Sequence, residues 1–177
     1  MTFHTKIQIG SFTPIRGVSC PPTSSCVQDS SFDRSQDNAY IYSTTTLTPR
    51  LHVSLGLSFH SFDEAPFKIN KTYPKFGLQW RVNDQFQVRL SSFGLVKRSL
   101  VVDQTIEPTE IAGFNQFFDD FNGTQSRRQG IGIDTKPRSN LYAGIELSRR
   151  KVDIPGFVDD GSIKFERHQE KMFRTYL

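Results

Sequence analysis

Four histidines, two cysteines and two pairs of adjacent aspartates are the side chains here whose types could ligate a metal or move a proton. Their spacing argues against it. His4, His52, His60 and His168 are dispersed. His52 and His60 stand eight apart on one face of an alternating segment, too far for one metal site without partners from elsewhere. "ERHQEK" at 166–171 lacks the H-E-x-x-H order and reads as a solvated strand end. Cys20 and Cys26 lie in "VSCPPTSSCVQDSS", whose spacer matches neither a zinc nor a redox motif. A local disulfide in an oxidising compartment and two unpaired surface thiols both fit. Asp119-Asp120 and Asp159-Asp160 fall in expected loops, where paired carboxylates either hold a divalent cation or simply solubilise. No Ser or Cys sits in a nucleophile elbow. The expectation is a protein with no catalytic residues, cofactor or metal, and not an enzyme. Arg81, Arg89, Arg149, Arg150 and Lys164 suggest instead a cationic lumen or rim favouring anionic solutes. Arg149 and Arg150 are adjacent, so only one of them can face inward.

The elements that would position these residues are strands. Apolar and polar residues alternate in "TKIQIGSF", "NAYIYSTTTLT", "LHVSLGLSFH", "RRQGIGIDTK", "NLYAGIELSRR" and both ends of "SIKFERHQEKMFRTYL". "YPKFGLQWRVNDQFQVRLSSFGL" reads as a hairpin with a two-residue turn at Asn83-Asp84. That makes about eight strands of about 8–12 residues each. Pro49-Arg50, Asn83-Asp84 and Pro137-Arg138-Ser139 read as tight turns, and 13–37, 62–72, 98–126 and 151–161 as long loops. Short and long connections alternate, so an up-and-down antiparallel sheet carries short turns on one rim and long loops on the other. Within 98–126 the period changes after Pro108, and Ile111, Phe114 and Phe118 suggest a short helix stopped by Gly123.

The chain has 177 residues, 36% of them hydrophobic and 12% aromatic, with mean hydropathy −0.46. No apolar run is long enough for a transmembrane helix. A membrane β-barrel stays open, because alternating strands average to neutral hydropathy. Net charge is +4, with Lys and Arg spread along the chain rather than in a stripe, so no nucleic-acid partner is expected. "MTFHTKIQIG" has no apolar h-region of a secretory signal.

Which solvent each face meets decides the class. The polar face of the alternation carries Gly56, Gly77, Gly130, Gly132 and Gly144 with Ser, Gln and a few Arg, which suits a crowded lumen better than a convex surface. On that argument His52, Ser54, Gln79, Arg81, Gln87, Arg89 and Glu146 face the lumen. Val53, Leu55, Leu57, Phe76, Leu78, Trp80, Phe86, Val88, Leu90 and Ile145 face lipid. Tyr40, Tyr42, Phe76, Trp80 and Phe86 read as interfacial aromatics. A soluble all-β carrier of an apolar ligand has the same period with the faces exchanged.

"YPKFGLQW", "LVKRSLVVDQTIEPTEIAGFNQFFDDFNGTQSRRQGIGIDTKPRSNLYAGIELSRRKVDIP" and "RTYL" resemble the barrel region of TonB-dependent-receptor-like outer-membrane proteins, among them bacterial proteins that also carry tetratricopeptide repeats. The resemblance covers roughly residues 38–177, and Thr105–Asp120 is its most specific part. It implies bacterial outer-membrane location, lipid as partner, and transport or secretion of a solute or polymer. TonB-type energy coupling or a periplasmic repeat domain would belong to the full-length protein. No TonB box, plug or repeat domain is recognisable, so 1–177 reads as one barrel segment, incomplete at both ends. An exopolysaccharide or protein export barrel is the neighbouring reading. Thr105, Phe114, Phe117, Phe118, Asp119 and Asp120 are the candidate gate, on a loop expected to fold over the mouth or inward.

Overall fold

The computed structural model describes residues 5–12, 34–64, 67–97, 107–158 and 163–177. The strands in chain order are β1 (Thr5–Phe12), β2 (Arg34–Thr48), β3 (Leu51–Glu64), β4 (Phe67–Arg81), β5 (Phe86–Val96), β6 (Glu110–Ile111), β7 (Phe114–Asn115), β8 (Gln125–Arg138), β9 (Leu141–Phe157) and β10 (Ile163–Tyr176). One antiparallel sheet of eight strands runs β1-β2-β3-β4-β5-β8-β9-β10, and β6 and β7 form a separate small hairpin. The described residues are thus all-β and up-and-down, as the alternation predicts. Among the described residues β1 and β10 do not pair with each other, so the sheet is open.

The short-turn rim is stitched laterally. Arg81 N donates to Arg50 O at 2.8 Å, and Lys136 N to Gln85 O at 2.8 Å. The Asn83-Asp84 connection is four residues (82–85) rather than two. Asn83 Oδ1 accepts from the backbone N–H of both Gln85 and Phe86, at 2.9 Å each, an Asx geometry that replaces the missing ladder bonds.

Two expected long loops are strand instead. Residues 62–72 belong largely to β3 and β4, and β9 runs to Phe157 through most of 151–161. The polar composition that suggested loops is a set of cross-strand charge pairs. Asp63 is registered to Lys68 and ion-pairs with it at 2.7 Å, and Asp153 is registered to Arg167 at 2.8 Å. The strands β2–β4 and β8–β10 therefore run 14 to 17 residues, longer than the alternation alone suggested.

Directly opposed residues share a face, so the register sorts the sheet into rows. One row runs Val53, Leu78, Leu90, Ile131, Leu147, Phe173, and the next Leu51, Trp80, Val88, Ile133, Ile145. These lie on a bare face: Leu55 is 55% exposed, Trp80 49% and Ile145 50%. The opposite face carries the row Thr44, Ser54, Gly77, Ser91, Gly130, Ser148, made almost entirely of small residues. That face is covered. Arg89, Lys75 and Glu146 on it are all buried.

The β4–β5 ladder is short. It holds from Arg81↔Gln87 only as far as Phe76↔Ser92, whereas the β3–β4 ladder continues to Glu64↔Phe67. Two residues past the last β4–β5 pair sits Pro74, which has no N–H to give to a neighbour, so β4 becomes an edge there. The Tyr73 ring then packs where a Cβ on Gly94 would stand, and Tyr73 clusters with Ile69 and Val96.

Candidate functional site: a hairpin against the polar face

The long connection 97–124 leaves β5 and returns to β8 through a closed neck, with Lys97 N donating to Thr124 O at 2.7 Å and Gly123 N to Lys97 O at 2.8 Å. Within it the expected helix is absent. Glu110↔Asn115 and Ile111↔Phe114 pair as a two-stranded hairpin. Its turn is Ala112-Gly113, with φ of 50° and 78°. Two consecutive positive φ values cannot belong to a right-handed helix; they are the twist of a tight hairpin turn. Gly at the second turn position meets that demand without strain.

The hairpin lies on the row of small residues. Ile111 Cγ2 sits 2.7 Å from where a Gly77 Cβ would be, and the Phe114 ring fills the corresponding space over Gly130. Phe114 is fully buried. At Gly77 and Gly130 the crowding comes from this hairpin, whereas over Gly56, Gly132 and Gly144 it comes from the Tyr42, Arg89 and Tyr176 side chains of the sheet itself. From Glu107 to Asp120 the loop reaches side chains on β2, β4, β5, β8 and β9.

Polar latches hold it at two levels. At its base, the Lys75–Glu107 ion pair is 2.5 Å long with both side chains fully buried. Tyr42 OH donates to Glu107 Oε1 at 2.6 Å, and Lys75 Nζ also donates to Gln116 Oε1 at 2.7 Å. Gln116 Nε2 in turn donates to Pro108 O at 2.7 Å. Higher up, three arginines of β5, β8 and β9 grip the aromatic rings. Arg89 and Arg128 stand 5.1 and 5.6 Å from the centre of Phe114, and Arg128 and Arg150 stand 5.2 and 4.1 Å from that of Phe118. Arg128 Nη1 also donates to Asn115 O at 3.0 Å.

Each arginine is neutralised. Arg89 makes a bidentate contact with Asp134 at 2.5 and 3.1 Å. Glu146 accepts from Arg128 at 2.9 Å and from Arg174 at 2.7 Å. Arg150 pairs with Asp120 and, at 3.2 Å, with Glu170. This charge-balanced face can bind a carboxylate, phosphate or sulfate only if a carboxylate of its own moves away.

The expected inward-facing set shares one face. His52, Gln79, Arg89 and Glu146 fall in a single register row, Ser54 in the next, and Arg81 and Gln87 oppose each other toward the short turns, where Arg81 is exposed. His52 Nδ1 bonds the Thr46 hydroxyl at 3.0 Å and His60 Nε2 that of Ser58 at 3.0 Å, so each reads as a wall residue. Of the adjacent arginines, Arg150 is the buried one, while Arg149 is exposed and donates to Gln169 at 2.5 Å. Lys164 is exposed.

The expected outward set, Val53, Leu55, Leu57, Phe76, Leu78, Trp80, Phe86, Val88, Leu90 and Ile145, lies on the bare face with exposed or half-exposed side chains. Tyr40 and Tyr42 are a correction. They sit on the covered face, buried with Phe93, Ile111 and Phe114, because their parity in β2 matches Asn38 rather than Ile41. Of the gate candidates, Phe114 is inserted, Phe117 and Phe118 are half-buried, Asp120 holds Arg150, and Asp119 points to solvent. Thr105, Cys20, Cys26, Asp159 and Asp160 lie outside the described residues.

Sequence reasoning missed Lys75, Glu107, Gln116 and Arg128. Lys75 and Arg128 carried a signal, since each shares parity with a glycine of the small row. "EIAGFN" carried a hairpin signal in its Ala-Gly pair. For Glu107 and Gln116 no local signal exists. No protein-family model, curated protein or solved structure matches the chain.

Proposed function

We propose that this chain forms the wall and inner hairpin of a bacterial outer-membrane β-barrel, receptor- or porin-like, that passes a solute or polymer. The observation that carries the reading is the inverted polarity. Large apolar side chains are exposed in registered rows, while Lys75, Arg89, Arg128, Glu146 and Arg150 are buried on the other face. A soluble fold leaves its charges in water and buries its apolar rows. A wall in lipid does the reverse. A soluble carrier would further need an apolar cavity on the inner face, and that face is filled by the hairpin and its ion pairs.

In this reading the hairpin of residues 107–118 is an obstruction in the path and its latches set how readily it moves. An incoming anion competes with Asp134, Glu146 and Asp120 for Arg89, Arg128 and Arg150, freeing the rings those arginines grip. The wall itself does no bond chemistry. The resemblance to TonB-dependent-receptor-like barrels points the same way.

Trp80 is the only tryptophan, which makes it a clean probe. In vesicles, brominated acyl chains are expected to quench its fluorescence and aqueous iodide to leave it bright. Strong iodide quenching with no effect of bromolipid would sink the proposal.

A further inference from the structure

The bare face changes character partway up β8, β9 and β10. Toward the short turns it presents Leu90, Ile131, Leu147 and Phe173 in one row. The next rows toward the long connections carry Gln129, Arg149 and Lys171, then Arg127 and Lys151. All four cations are exposed. Shallow grooves on this face are lined by Leu90, Ile131, Leu147 and Phe173 on one side and by Arg127, Arg149, Lys151 and Lys171 on the other.

The register makes this arrangement costly as it stands. Arg127 is directly opposite Lys151, and Arg149 directly opposite Lys171. Like charges opposed across a ladder repel. The covered face holds a similar pair, Arg128 opposite Arg150, and supplies Glu146, Asp120 and Glu170 to neutralise it. Among the described residues the bare-face cations have no carboxylate at ion-pair distance. Their nearest acidic neighbour along β9, Asp153, is engaged by Arg167. Arg149 bonds the neutral Gln169, and Arg127 lies 5.7 Å from the Tyr73 ring centre.

We infer that this face binds a membrane lipid whose phosphate headgroup is net anionic, with no cation of its own. Its acyl chains lie along Leu90, Ile131, Leu147 and Phe173, and its phosphate bridges Arg149 and Lys171, with Arg127 and Lys151 above. The inference rests on the reading of this face as lipid-facing, and adds to it a headgroup and a position. Charge complementarity and continuity with the apolar rows choose a lipid over a free anion. Phosphate oxygens accept from guanidinium and ammonium donors together, which relieves both opposed pairs at once.

The test uses the chain in phosphatidylcholine vesicles, with and without a fraction of phosphatidic acid. Expected is insertion into both, with phosphatidic acid retained through detergent extraction. R149Q/K171Q should insert equally and retain about tenfold less. K136Q/R138Q, which removes the same charge near the short-turn rim, should retain as much as the unaltered chain. Equal retention by R149Q/K171Q overturns the inference, as does inorganic phosphate alone protecting Arg149 and Lys171 from chemical modification as well as the lipid does. Failure to insert into phosphatidylcholine is a separate result: it removes the membrane reading and this inference with it.

Discussion

Glu107 anchors the base of the hairpin to β2 and β4. Fully buried, it faces the Lys75 ammonium and the Tyr42 hydroxyl. Removing one partner of such a pair leaves the other charge buried and unmatched, at about 3–5 kcal/mol. Glu107→Gln is therefore expected to release the hairpin while leaving the large sheet intact, seen as faster proteolysis within 107–124 at unchanged far-ultraviolet dichroism. Adding Lys75→Met should recover part of the loss, because the orphaned ammonium is then gone. Phe114→Ala removes a ring wedged between two guanidiniums over Gly130, and about 3–5 kcal/mol of local stability is expected to go with it. In planar bilayers that variant should conduct more than the parent, and equal conductance would show that the ring does not obstruct. Gly130→Val probes the same contact from the floor. Its side chain would occupy the space of the Phe114 ring, so the hairpin must lift, and the protease pattern should resemble that of Phe114→Ala.

At the level of elements, the ribbons beyond the apolar rows are joined by charge. Lys68 has its amine pKa raised above the ordinary lysine range, first by its hydrogen bond to Asp63 and then by that carboxylate's charge. A raised lysine pKa means the folded tip holds the proton more tightly than the unfolded chain does. The stabilisation is thus complete below the ordinary lysine range and fades as pH climbs through the raised value. NMR titration of the Lys68 ε-methylene should show that upward shift, and Asp63→Asn should abolish it. This element also marks where sequence reading failed. "FDEAPFKINKT" looks like a loop because its residues are charged, and only the register turns Asp63 and Lys68 into a cross-strand pair. The apolar alternation of β3, β5, β8 and β9, by contrast, was readable residue by residue, since a period of two survives in any context. The hairpin under Phe114 was half readable. Phenylalanine spacing spoke for a helix and Ala-Gly for a turn, and the positive φ of both turn residues shows which prevailed.

Across the whole molecule, the edge of the apolar zone follows one hydrogen-bonded row from β5 to β10, through Leu90, Ile131, Leu147 and Phe173, but descends across the rows from β3 to β5. Large apolar side chains on the bare face reach Phe59 on β3 but stop at Phe76 on β4, which is registered to Leu55. On β5 they stop at Leu90, one pair below Ser92, the partner of Phe76. A boundary descending across the rows becomes level if the strands are inclined to it, as the strands of membrane barrels are, by about 35–45°. Polarised infrared spectroscopy of oriented bilayers should return a strand tilt in that range, and upright strands would contradict the proposed setting. The polarity of the faces was legible in the sequence because Gly56, Gly77, Gly130, Gly132 and Gly144 shared the parity opposite the large apolar residues. The latches joining β2, β4 and β8 to the hairpin were not, because Lys75 and Glu107 stand 32 residues apart and meet only once the loop lies on the sheet.

The short β4–β5 ladder has a mechanical meaning. Six residue pairs join these strands where fourteen join β3 to β4, and Pro74 stands just beyond the last of the six. Under load the wall should part here first. Pulled by its ends in a single-molecule stretching experiment, the chain would give up β1–β4 as one block and β5–β10 as another, with the rupture between them at the lowest force. Pro74→Val, which supplies an N–H toward the seam, should raise that force.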